Sequence, residues 1–313
     1  MATKSIYTNI RWRLNKPLSL TRPDDIVDIL RAKKIYRKNQ KFINAHNRKS
    51  EVLCAVVIHL YYIESWSIFD GLLRRIKLPF DLYVTLPSQK KDYSEQITKR
   101  WPDAIVLEVP NRGRDVLPFL MTARNLKERG YEYVLKLHSK KSTHRKDGSD
   151  WFSEITNSLV PTNHWPHLET VLNDKDSAVV GPAGQYTSLK VNFEANGMHM
   201  SDILKKIYNR DTAYRVLQTE RAEHGFFAGT MFWARLDALD PILLKNWSIM
   251  SFTKEAGQID ATIAHAIERV FCLVPQIEKK RIYEIGKSGI GQVNYDSGVI
   301  PDWADVYIGP KPG

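Results

Sequence analysis

The sequence predicts an α/β fold: a mostly parallel central sheet with helices on both faces. Three observations predict it. "VLCAVVIHLYY", residues 52–62, is a continuous β-branched run of the kind that fills a central parallel strand. From there to residue 139, strand-like and helix-like segments alternate, which is the pattern of a sheet wound with crossover helices. Each polar cluster in this part falls at the carboxyl end of a predicted strand, where such sheets bind ligands.

Residues 23–45, "PDDIVDILRAKKIYRKNQKFINA", open with Pro23 and acids and continue with bases. That order suits a helix, because negative charge is favoured at its amino end and positive charge towards its carboxyl end. Two readings stand open: a solvated helix packed on the body, or a cationic helix lying on anionic lipid. After the first strand, 64–77 has helical spacing and "FDLYVTLP" is a second strand. "DYSEQITKRWP" is a second helix and "AIVLEVP" a third strand. A third helix runs to about 129, and "YEYVLKLHS" is the fourth strand. "HGFFAGTMFWARLDAL", 224–239, reads as a strand, and "EAGQIDATIAHAIERVF", 255–271, as a helix with Asp260 near its start.

Charge divides the chain. Residues 1–50 hold thirteen Lys and Arg against three Asp, a net of +10; the other 263 residues hold 33 against 32. The basicity therefore belongs to an N-terminal arm, 1–50, that fits an anionic surface, and the near-neutral body argues against nucleic acid as partner. No run of eighteen apolar residues occurs, and the N-terminus lacks the apolar centre of a secretory signal. Cys54 and Cys272 lie in apolar runs, as small buried residues of a reducing compartment do. A cytoplasmic protein is expected.

The segment "NRGRD", 111–115, places Asn111, Arg112, Arg114 and Asp115 where a strand hands over to a helix. Backbone N–H groups there favour anions, and each arginine can fork onto phosphate or carboxylate. Asp115 can cap the helix, hold an arginine or meet a ligand hydroxyl; the plainer reading is a capping aspartate with two surface arginines. His59 closes the first strand. Lys136 and His138 share one face of the fourth, with Lys140 and Lys141 following. A positive rim favours a diphosphate. Gly225 and Gly229 suggest a close approach of ligand or backbone, and Phe227 and Trp233 are core or sugar-stacking aromatics. Asp260 is a helix cap, or a general base if the helix start faces the cleft. Glu268 follows His265 by three residues.

Taken in order, "HLYY", "LPFDLYVTLP", "VPNRGRDVLPFL", "YVLKLHSKKS", "FFAGTMFWARLDAL" and "GQIDATIAHAIERVF" resemble the rhamnan synthesis protein F family over about residues 50–275. The resemblance implies a GT-A-like glycosyltransferase domain over 51–275; residues 276–313, outside the resemblance, are expected to be a C-terminal extension packed on it. It implies transfer of a sugar, L-rhamnose from dTDP-L-rhamnose, to a lipid-linked glycan acceptor in cell-surface polysaccharide synthesis such as rhamnan or O-antigen. The alternative is a carbohydrate- or nucleotide-binding assembly component without turnover. The expected location is peripheral, at the inner face of the plasma membrane, through the basic arm.

Most GT-A enzymes carry an Asp-x-Asp motif for Mg or Mn at the end of the fourth strand. This chain has "KLHSKK" there, so the expected donor site is cationic: His59, Asn111, Arg112, Arg114, Asp115, Lys136, His138 and Lys140. By analogy, Phe227, Gly229, Trp233 and Glu268 face the acceptor. Asp260, with His265 beside it, is the expected acceptor-activating carboxylate. Asp115 follows closely on Arg112 and Arg114, and Asp70 lies inside a helix, whereas Asp260 has no cation adjacent in sequence.

Overall fold

The computed structural model describes residues 23–45, 52–139, 148–190, 193–247, 249–255 and 260–293. Their strands are β1 (Cys54–His59), β2 (Phe80–Pro87), β3 (Ile105–Val109), β4 (Tyr133–His138), β5 (Ser177–Pro182), β6 (Tyr186–Ser188), β7 (Gly225–Phe227), β8 (Phe232–Arg235), β9 (Arg281–Gly286) and β10 (Gly289–Gln292). The helices are α1 (Pro23–Ala45), α2 (Trp66–Leu73), α3 (Ser94–Arg100), α4 (Val116–Glu128), α5 (Gly148–Leu159), α6 (Trp165–Asn173), α7 (Gly197–Ile207), α8 (Arg210–Tyr214), α9 (Asp240–Leu243) and α10 (Ile263–Ile277).

Eight strands form one sheet in the order β10-β9-β5-β8-β4-β1-β2-β3; β6 and β7 form a separate ribbon. β1 pairs in parallel with β2 and β4, and β2 with β3. β8 runs antiparallel between β4 and β5, and β10 antiparallel to β9. The predicted mostly parallel sheet is present, and the four predicted strands of its first half fall where expected.

Both faces are covered, for a reason written in β1. Its side chains alternate: Ala55 and Val57 join α4, α7 and α10 in one apolar cluster, while Cys54, Val56 and Ile58 join α2, α5 and α6 in the other. A strand with apolar side chains on both faces needs a layer on each.

Two expectations change, and a third reading left open is decided in part. Residues 224–239 are not one strand. Gly229 (φ +91) and Thr230 (φ +51) turn the chain, so β7 pairs with β6 and β8 enters the main sheet. The C-terminal region does not merely pack on the domain: β9 and β10 are strands of the main sheet, and α10 crosses residue 275. α1 lies on the body, burying Ala32, Ile35, Asn39 and Ile43, with the Asn39 amide donating to the Glu108 carbonyl of edge strand β3 (2.6 Å). No helix among the described residues is long and apolar enough to cross a membrane.

Candidate functional site

The carboxyl ends of β1, β3 and β4 meet the amino end of β8 on one rim, because β8 alone runs the other way between its neighbours. The turn before β8 and the start of α10 complete it.

The loop after β3 is held in an unusual shape. Gly113 (φ +65) and Arg114 (φ +56) are both left-handed. At Gly113 a Cβ would lie 2.5 Å from the Phe252 ring and 2.8 Å from Leu117 Cβ, so glycine is required on two counts. At Arg114 the conformation costs roughly 1–2 kcal/mol. The loop is pinned from outside: the Gly113 N–H donates to the Thr253 carbonyl (3.1 Å) and the Glu255 N–H to the Asn111 carbonyl (3.3 Å). Arg112 is buried and donates to the Phe252 carbonyl (2.8 Å), with Asp28 of α1 at 3.5 Å. It is a strut rather than an open phosphate ligand.

Beneath the loop lies a closed polar layer. Lys136 is 1% exposed and donates to Asp115 Oδ2 (2.5 Å) and the Thr230 carbonyl (2.6 Å), with the adjoining Phe119 and Phe232 rings against its ammonium. Thr230 Oγ1 donates to the same carboxylate oxygen (2.7 Å). Asp115 therefore neither caps α4 through its side chain nor holds an arginine; its partner comes from β4. Burial alone would push its carboxyl up, but the Lys136 ammonium and the hydrogen bonds hold it well below the usual carboxylate range. His138 is also buried. Its Nε2 faces the Gly229 carbonyl (2.5 Å), which can only accept, so that nitrogen carries the proton. His59 is buried against Thr85 Oγ1 (3.0 Å). Three predicted donor ligands, His59, Lys136 and His138, are thus support beneath the rim. Lys140 lies outside the described residues.

What reaches the rim is Arg114, with Asn111 beside it. Arg114 contacts His265 Nε2 and lies 3.7 Å from Glu255. An arginine only donates, so Nε2 is the accepting nitrogen and the ring proton sits on Nδ1, facing Thr262 Oγ1 (2.8 Å). Thr262, not Asp260, caps α10. Burial, then the adjacent Arg114, lowers His265 to about 4, so the ring is neutral at neutral pH. Asp260 stands on the Nδ1 side at 3.9 Å, its side chain 39% exposed. It does have a cation nearby, against the sequence reading: Arg269 at 3.7 Å, with the Asn196 amide donating to Oδ1 (2.9 Å). Arg269, four residues beyond His265, also lies 3.7 Å from Glu268. Glu268 accepts from the Gly229 N–H (2.9 Å), and burial raises its carboxyl.

The predicted acceptor aromatics are elsewhere. Trp233 is 0% exposed and on the opposite face of β8 from Phe232, its indole donating to the Leu159 carbonyl (2.7 Å). Phe227 is buried core. The close approach expected at Gly229 comes from the protein itself, since a Cβ there would lie 2.9 Å from the Trp151 ring. Sequence reasoning missed Thr230, Arg269, Asn196 and Ser139, whose hydroxyl accepts from the Tyr61 and Tyr62 N–H groups (2.7 and 2.8 Å). Only Arg269 had a signal, its place one turn after His265.

The buried histidines set a pH dependence. Burial holds His59 at about 3, below its ordinary value, as it does His265 at about 4. Both stay neutral in the fold while the unfolded chain protonates them from about pH 6.5 downwards. Their contribution is complete above that pH and is lost as pH falls towards 4 and 3. From His59 alone the loss at pH 4 is about 3 kcal/mol. Urea midpoints should fall from about pH 6.5; a midpoint flat down to pH 5 would refute this.

Fold and rim together define an α/β domain with a mixed sheet and a cationic, carboxylate-bearing site at its strand ends. The family model of rhamnan synthesis protein F matches residues 7–280, and the chain belongs to that family. The match takes in α1 and most of the N-terminal region, where the sequence motifs began only near residue 50. Two curated relatives carry the name "Uncharacterized protein WxcX", from Xanthomonas campestris pv. campestris strains B100 and ATCC 33913. Each is 33% identical over 68% of this chain. The chain spans 30% of their length. A solved structure, "Crystal Structure of a Mycobacterial Protein", aligns at 12% identity over 82% of this chain and 71% of its own, with a TM-score of 0.35.

Proposed function

We propose that the chain is a GT-A-like inverting glycosyltransferase. In this reading it moves L-rhamnose from dTDP-L-rhamnose to a lipid-linked glycan at the inner face of the plasma membrane. The observation that carries the reading is the placing of Arg114 and Asp260 on two sides of one neutral imidazole, His265. A cation and a partly open carboxylate so spaced suit a leaving diphosphate and an attacking hydroxyl. Asp260 takes the acceptor proton, the acceptor oxygen bonds to the anomeric carbon, and the bond to the diphosphate breaks with inversion. Arg114 stabilises the charge that develops on the leaving group. Glu268, fixed by the Gly229 N–H, positions the acceptor.

A divalent metal does not fit the end of β4. The ammonium of Lys136 already occupies the Asp115 oxygen, and no group of three or more His, Cys, Asp or Glu among the described residues is disposed to hold one.

The test is titration and turnover with dTDP-L-rhamnose. Arg114→Ala removes a charge-assisted contact of roughly 1.5–3 kcal/mol and should weaken donor binding about 10–150-fold with melting unchanged. Donor binding without transfer or hydrolysis favours the non-catalytic assembly component. Wild-type protein that does not bind the donor overturns both readings.

A further inference from the structure

The buried side of α1 is accounted for by the body; its other side is not. Ala32, Ile35, Asn39 and Ile43 face the body. Val27, Leu30, Arg31, Lys34, Lys38 and Lys41, at steps of three, four and seven residues, share the opposite face, and Arg37 lies beside it. All seven are exposed, Val27 at 56% and Leu30 at 61%. Of these cations only Lys38 has an ion pair among the described residues, with Glu108. The acid described on this helix, Asp28, is turned inward, 2.7 Å from Lys254 and 3.5 Å from Arg112. Among the described side chains the outward face is therefore cationic with an apolar edge.

We propose that this face of α1 docks the protein on an anionic lipid bilayer. A row of lysines and arginines is attracted to a negative headgroup layer, and Val27 and Leu30 can sink into its acyl boundary. A nucleic acid satisfies the cations and leaves those two side chains in water, so the apolar edge favours lipid. The docking is mechanically tied to the rim. Asp28, on the inner side of the helix, meets the Arg112 that braces the 111–115 loop, and Lys254 pairs with Arg112 across an isolated bridge. A helix seated on a membrane would hold that loop beside it. The inference does not rest on sugar transfer, and its readout needs none.

The experiment is sedimentation of the full chain with vesicles of phosphatidylcholine and phosphatidylglycerol, and with phosphatidylcholine alone, at physiological salt. The wild type should sediment with the anionic vesicles only. The variant Arg31→Gln, Lys34→Gln, Lys41→Gln changes three exposed side chains. Each cation near such a surface is worth roughly fivefold in partitioning, so it should bind about a hundredfold more weakly. Leu30→Ser should also weaken binding, at unchanged charge. Three results would overturn the proposal: a triple variant that binds as the wild type does, equal binding to the neutral vesicles, or RNA that competes the protein off the anionic vesicles while Leu30→Ser binds normally.

Discussion

Replacing Lys136 by methionine should destabilise the protein by about 3–5 kcal/mol, the usual cost of breaking a buried ion pair. Methionine matches the length of the lysine stem and leaves its packing against Phe119 and Phe232 largely intact. What it removes is the ammonium against Asp115, in a site where Lys136 is 1% exposed. The carboxylate keeps only the Thr230 hydroxyl among its partners in this cluster, too little to replace water around a full charge. Asp115→Asn should cost a similar amount by stranding the lysine. The double variant should recover much of the loss, because neither charge then remains. Urea denaturation of the four proteins measures it. A single-variant loss below about 1 kcal/mol would mean that the pair is better solvated than its burial indicates.

Asp260→Asn should lower transfer by about 10²–10⁴-fold, the usual worth of a general base, and spare donor binding. The substitution keeps shape and still accepts the Asn196 amide, so the fold is little disturbed. It removes the proton acceptor and nothing from the Arg114 side of His265. Glu268→Gln is the companion measurement. Glu268 is the more buried carboxylate, with one oxygen committed to Gly229, and its neutral form is favoured by burial. A smaller loss is expected there, expressed in acceptor KM. If Glu268→Gln takes the loss in kcat and Asp260→Asn does not, the base is Glu268.

The first half of the fold was legible because local and global signals agree there. β1 to β4 are apolar runs closed by turn residues, and the helices between them carry opposite periodicity. The second half was not, because β8 is inserted antiparallel between strands far away in sequence, and no local pattern encodes that. Gly229 and Thr230 show the difficulty: a positive φ at a threonine has no compositional mark, so two strands read as one. The site was half legible. That charge gathers at the strand ends follows from where the strands stop. Which charges face outward does not, since Lys136 and Asp115 cancel each other only once β4 is laid beside the 111–115 loop. Asp260 looked free of cations because Arg269 lies nine positions away and is brought back by the first turns of α10.

The placement of α1 bears on how the protein can be cut. β3 is the last strand of the sheet, and α1 lies along it, with Asn39 bonded to the Glu108 carbonyl. The basic segment therefore also acts as a guard against unwanted strand addition. A fragment trimmed to begin at residue 52 would present an open ladder beside newly bared apolar surface, the usual seed for edge-to-edge association. Charge can be removed from the outward side of the helix by substitution, but the helix itself has to stay to keep the β3 edge covered.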